Sequence, residues 1–96
     1  MAGMIFEFDI AKDIANRIKH GIPLEFAAEF FEGPVSIARD DRSDYREARY
    51  VAFGMIAGRL CVCVFTDRGD VRRIISLRKA NKRERNAHRQ AQSDQG

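Results

Sequence analysis

Arg73 and Arg78 stand five residues apart in Val71-Arg72-Arg73-Ile74-Ile75-Ser76-Leu77-Arg78, a run apolar enough to be a strand. An arginine fork grips phosphate oxygens in two places and stays protonated, so such residues suit a site that stabilises a charged phosphoryl group. Strand parity puts the two on opposite faces, with Arg73 beside Val71, Ile75 and Leu77. A bare charge on that apolar face needs a partner or the edge of a cleft. Glu47, an aspartate or a ligand would serve. Glu47 and Arg49 share one side of an alternating run, where they either pair across a sheet or act as a carboxylate base and a phosphate ligand. His20 has an intrinsic pKa suited to proton transfer near neutrality. At a helix C-terminus its protonated form is favoured, so it is expected to donate a proton, with Lys19 neutralising charge beside it. Simple end-capping is the alternative.

The charge distribution points the same way. From Arg68 to Arg89 the chain holds nine basic residues against Asp70 and Glu84, a local charge of +7 inside a net charge of only +3. Such a pole on a small chain favours a polyanionic partner, most often nucleic acid. Arg68, in a turn, reads as a phosphate contact. Asn81 and Glu84 have the spacing of a capping box, which suffices to explain Glu84. Lys79, Lys82, Arg83 and Arg85 then line the first turns of a last helix, placed to follow a nucleic-acid backbone. His88, in a polar segment, reads as solvated.

Ninety-six residues with an apolar fraction of 45% allow one small domain. It is expected over residues 1–89, with 90–96 a disordered polar tail. No stretch has the length of a membrane span or the form of a signal peptide. Cys61 and Cys63 fall two apart in an apolar run, poor geometry for a mutual disulfide, and read as buried thiols in a reducing compartment. No third soft ligand accompanies them, so no metal site is expected.

The elements that must position these residues can be read in order. Met4 to Phe8 alternates as a strand, and Asp9 caps a helix. Ile10, Ile14 and Ile18, with Ala11 and Ala15, form a stripe expected to face the core. Lys12, Asn16, Lys19 and His20 gather on the opposite side, and Gly21 closes the helix. Pro23 is expected to open a second helix whose core face is Phe26, Ala27, Phe30 and Phe31. Gly33-Pro34 ends it. Strands follow at Val35–Ala38, Tyr45–Met55, Leu60–Phe65 and Val71–Leu77, with turns at Gly58 and Gly69. The expected class is α+β in the order β-α-α-β-β-β-β-α. Its mostly antiparallel sheet carries two N-terminal helices packed on one face, and a short C-terminal helix ends the chain.

At this level of detail the chain resembles the BrnT family of toxins from bacterial type II toxin–antitoxin modules. The resemblance is carried by Phe8-Asp9, Lys12, Asn16, Lys19-His20-Gly21, Phe26 and Ala28, then by Asp40-Asp41-Arg42, Tyr45, Glu47, Arg49, Gly54 and Gly58-Arg59. It continues through Val64-Phe65-Thr66, Arg68-Gly69-Asp70, Arg73-Ile74-Ile75-Ser76, Arg78-Lys79-Ala80 and Glu84-Arg85. The chain departs from the usual pattern at Phe8, Pro23, Ala48 and Asn81.

The resemblance implies a RelE-like fold and a cytoplasmic, growth-inhibiting ribonuclease that needs neither metal nor cofactor. It implies a cognate ribbon-helix-helix antitoxin, BrnA-like, through which alone promoter DNA is bound, and no membrane. Metal-free RNA cleavage means attack of a ribose 2′-hydroxyl on the adjacent phosphate with departure of the 5′-oxygen, which needs charge stabilisation and two proton transfers. His20, Lys19, Glu47, Arg49, Arg73 and Arg78 are the candidate catalytic residues, and Arg68, Lys79, Lys82, Arg83 and Arg85 the candidate RNA contacts. The last helix would equally dock an acidic antitoxin segment. A non-catalytic nucleic-acid-binding or protein-interaction module using the same basic surface is the alternative. The nucleic-acid-binding form of that alternative is disfavoured by the absence of an aromatic residue between Arg68 and Gly96 on which bases could stack.

Overall fold

Asp9 sets the first helix as its position leads one to expect. Its Oδ1 accepts from the N–H groups of Ala11 at 2.8 Å and Lys12 at 3.2 Å, donors the helix itself leaves unpaired. The computed structural model describes residues 4–41 and 46–95. In them β1 (Ile5–Phe8) leads to α1 (Ile10–His20), a 3-10 turn (Leu24–Phe26) and α2 (Ala27–Glu32). Four strands follow, β2 (Ser36–Arg39), β3 (Tyr50–Ile56), β4 (Arg59–Arg68) and β5 (Val71–Lys79), and then α3 (Lys82–Gln95). The strands form one mixed sheet in the order β1-β5-β4-β3-β2. β1 runs parallel to β5, and the other neighbours are antiparallel.

The class is α+β, but several expectations need correction. A strand precedes both early helices, so neither is N-terminal, and the 3-10 turn between them was not expected. Pro23 is extended, at φ −64° and ψ 140°, and the next N–H, of Leu24, donates to Asp13 Oδ1 at 2.8 Å. That bond caps the 3-10 turn and delays α2 to Ala27. Phe26 consequently falls outside the core, 43% exposed. The expected long strand from Tyr45 begins only at Tyr50, so Glu47 and Arg49 lie before it; Tyr45 itself, with Arg42, is outside the described residues. The C-terminal helix is not short. It spans 14 residues and continues through Gln95, where a disordered tail was expected. Its arginines, glutamines and alanines are good helix formers, and its start is capped.

One face of the sheet holds the core. Ala52, Cys61, Cys63, Phe65, Ile74 and Leu77 meet Ile22, Leu24, Ala27 and Phe30 from the helical side. Both cysteines are free and buried there, and burial pushes the Cys63 thiol up to about 12. A Cβ on Gly54 would stand 2.9 Å from both the Phe30 ring and Val35, so only glycine lets α2 sit this close to β3. Arg72, counted above in the positive pole, belongs to this face. Its guanidinium lies 4.2 Å from the centre of the Phe65 ring and 4.7 Å from that of Phe31, with Asp67 accepting from it at 2.8 and 3.0 Å.

The isoleucine stripe of α1 does not face the core. Ile10, Ile14 and Ile18 are 73%, 51% and 83% exposed, and the buried residue of the helix is Asn16. The reason lies in β5. β1 pairs only with Val71–Ile74, so the rest of that edge of β5 lacks a strand. Asn16 fills the place of the missing peptide. Its Nδ2 donates to Leu77 O at 2.7 Å and to Ile22 O at 2.8 Å, and its Oδ1 accepts from Leu77 N at 3.1 Å. Leaving buried backbone groups unpaired costs about 1–3 kcal/mol each, enough to turn the polar side of the helix inward.

Asn16→Leu should therefore lower the unfolding free energy by about 2–4 kcal/mol in urea titration, although it adds apolar surface. Lys12→Ala, on an exposed position of the same helix, should stay within about 0.5 kcal/mol of wild type. Equal stability of the two variants would refute this role for Asn16.

Candidate functional site

Opposite the core, the second face of the sheet collects the candidate side chains. It does so through a β-bulge that parity counting cannot see. Phe65 pairs with Ile74 but Val64 pairs with Ser76, so Ile75 is an extra residue in β5. The alternation shifts by one there. Arg73 pairs with Thr66 and Arg78 with Val62, positions four apart on continuous β4. Arg73 and Arg78 therefore lie on the same face, not on opposite ones, and Leu77 goes to the core instead of flanking Arg73. Their strand positions are roughly 14 Å apart at ~3.4 Å per residue.

The candidates fall into two clusters. The first surrounds Arg73, whose Nη1 donates to Glu7 Oε1 at 3.0 Å, with Asp9 3.9 Å away. Its partners are thus Glu7 and Asp9, where Glu47 had been considered. Glu47 is held instead by Arg68, through bonds of 2.8 and 3.0 Å. The Arg68 hydrogen bond, helped by the charges of Arg68, Arg49 and Arg73, holds the Glu47 carboxyl below its ordinary range. Two buried groups fix the segment that carries Glu47 and Arg49. Thr66 Oγ1 donates to Ala48 O at 2.6 Å, and Asp40 N donates to Arg49 O at 2.8 Å. Thr66 is 1% exposed; the sequence named it only as part of the family resemblance and gave it no role, because a lone strand threonine carries no signal of what it holds.

The second cluster lies where β5 ends. Arg78 donates through both Nη atoms to Glu84, at 2.8 Å each. Glu84 also completes the expected capping box: Asn81 N donates to its Oε1 at 2.9 Å, and its own N–H donates to Asn81 Oδ1 at 2.8 Å. The box alone therefore does not exhaust its role. One carboxylate starts α3 and orients Arg78. Asn16, tied to Leu77, carries His20 one turn further along α1 toward Arg78. Burial, then the charges of Lys19 and Arg78, lower the His20 pKa from 6.5. This is opposite to the direction expected from its place at a helix end. Lys79, Lys82, Arg83 and Arg85 are exposed around this cluster, with Arg85 Nη1 donating to Ala80 O at 3.0 Å.

A groove of about 720 Å³ lies between α3 and the outer end of β3, lined in part by Pro34, Met55, Leu60, Arg85 and Arg89. His88 stacks on Phe53 there, ring centres 6.3 Å apart, and is half-buried instead of solvated. Among the described residues no three His, Cys, Asp or Glu side chains gather closely enough to hold a metal ion. Among them, too, no helix is long and apolar enough to cross a membrane.

This geometry, two arginine-centred clusters on one sheet face with a histidine beside one of them, suits binding and chemistry on a phosphodiester. The family model for the ribonuclease toxin BrnT of type II toxin–antitoxin systems matches residues 8–84. The chain belongs to that family. No curated protein matches the sequence. Membership brings an RNA substrate and a cognate antitoxin as partner.

The double role of Glu84 predicts a pH-dependent stability. Its pKa is lowered from 4.5, chiefly by the Arg78 hydrogen bond. A lowered native pKa contributes stability that is full above the unfolded value and is lost as pH falls through the native one. Glu84→Gln should cost about 1 kcal/mol at pH 7, the solvent-screened value of a partly exposed pair. The gap should close in acid. A gap that persists unchanged at pH 3 would contradict the assignment.

Proposed function

We propose that the chain cleaves RNA without a metal, at the His20–Arg78 cluster. His20 takes the proton of the attacking 2′-hydroxyl, Arg78 stabilises the charge that develops on the phosphate, Lys19 neutralises charge beside it, and the departing 5′-oxygen takes its proton from solvent water. The observation that carries this reading is Arg78, oriented by Glu84 through two 2.8 Å bonds, standing close enough to His20 for its charge to lower the imidazole pKa. A general base must begin unprotonated, and His20 is better suited than Glu47. That carboxylate is held ionised in a two-point arginine grip, which makes it a poor proton acceptor. The expected donor role for His20 is thus replaced by an acceptor role.

The Arg49–Arg68–Arg73 cluster is a second grip on the RNA backbone, and Lys79, Lys82, Arg83 and Arg85 extend the basic path along α3. Arg68, Arg73 and Arg78 each have a carboxylate partner that a phosphate must displace. Arg78 therefore binds substrate in exchange for Glu84, not as a bare cation. The α+β arrangement agrees with a RelE-like fold. The protein acts in the bacterial cytoplasm, and its antitoxin carries a ribbon-helix-helix domain that binds promoter DNA for the complex.

Attack by the 2′-hydroxyl with loss of the 5′-oxygen leaves a 2′,3′-cyclic phosphate and a 5′-hydroxyl. Purified chain in EDTA should produce those ends at the rate seen without chelator. Arg78→Ala should lower kcat/KM about 10²–10³-fold and His20→Gln by a similar factor. Lys82→Ala should chiefly weaken binding and flatten its salt dependence. Cleavage that needs added magnesium, or full activity in both site variants, would overturn the proposal.

A further inference from the structure

The exposed side of α1 is an apolar strip that the fold leaves uncovered. Ile10, Ile14 and Ile18 are 73%, 51% and 83% exposed, and Ala11 and Ala15 beside them are exposed too. Asn16 explains why the strip points outward but not what it meets. Three isoleucines in register along one helix face are a recognition pattern for an amphipathic helix, which reads them with apolar residues three or four apart.

Area and charge select the occupant. The strip is roughly 12 Å long from Ile10 to Ile18 at 1.5 Å per residue. One strip of three isoleucines falls well short of the ~800 Å² per partner in a stable interface. A second copy meeting this strip alone would therefore be poorly held, and a stable partner must continue past it. Beyond Ile18 the helix ends in Lys19 and His20, the latter close enough to feel the charge of Arg78, which Lys79 follows at the end of β5. A segment that runs on from apolar strip to cationic cluster must change from apolar residues to carboxylates.

The geometry points to the cognate antitoxin as that partner: one amphipathic helix of it lies along Ile10, Ile14 and Ile18, and the acidic residues that follow pair with Lys19, Arg78 and Lys79. This rests on placing cleavage at His20 and Arg78, because the acidic stretch then silences the enzyme by occupying the phosphate site itself. Isoleucines supply affinity outside the site, and carboxylates supply the block. RNA and antitoxin become mutually exclusive.

The test uses the full chain, with the protein encoded by the adjacent reading frame as the binding probe. An Ile14→Lys/Ile18→Lys variant, changed only at exposed positions, should bind that protein about 100-fold more weakly. Its own RNA cleavage should stay within about twofold of wild type, and Lys79→Glu should weaken antitoxin binding about tenfold. Loss of binding with cleavage retained supports the dock. Unchanged binding by the isoleucine variant overturns it, as does a wild-type dimer in sedimentation that the same substitutions dissolve. Should Arg78→Ala still cleave RNA, the placement of the cleavage site fails, while the isoleucine result continues to report on the dock alone.

Discussion

The paired hydrogen bonds between Asn16 and the backbone of Leu77 are the constraint on which the arrangement of this molecule depends. A parallel edge strand of only four residues leaves one edge of β5 without a strand beyond Ile74. A helix can close that edge only by presenting a group that donates and accepts like a peptide. Asparagine does both. Three consequences follow from one side chain: α1 is locked along β5, its isoleucines face solvent, and His20 is delivered to Arg78. A strand lengthened to cover the edge would have given a more apolar fold and no histidine at the site.

The electrostatics of the outer face follow from a second local irregularity. Without the extra residue at Ile75, Arg73 and Arg78 would straddle the sheet and serve no common ligand. With it they share a face, each fixed by a carboxylate: Glu7 for Arg73 and Glu84 for Arg78. These pairs hold the guanidinium groups oriented in the absence of substrate, so less conformational entropy is lost on binding. The required exchange of carboxylate for phosphate also makes the site sensitive to acidic competitors, which is the property a protein antagonist would use.

What was legible in the sequence was what short-range chemistry decides. The Asp9 cap, the Gly21 stop, the Asn81–Glu84 box, the hairpins and the two buried thiols were all read from residues close in the chain. The isoleucine stripe misled because periodicity identifies an apolar face but not whether the protein or a partner covers it. Asn16 lay in plain view among the polar residues, yet its value depends on an unpaired edge 61 positions away. The bulge was invisible for the same reason, since an extra residue shows only against the register of the opposite strand. Arg72 was counted with the surface charge because nothing local distinguishes an arginine that lies over aromatic rings. Candidate residues were thus found by type, whereas their grouping into two clusters required the tertiary structure.

The pH dependence of cleavage tests the central claim most directly. If neutral His20 is the proton acceptor, kcat/KM of the wild-type chain must fall on the acid side with a midpoint below 6.5, the ordinary histidine value from which burial, Lys19 and Arg78 displace it. The acid limb should vanish in His20→Gln, whatever activity remains, and persist in His88→Gln. A wild-type profile flat from pH 5 to 8, or an acid limb unchanged by His20→Gln, would contradict the account.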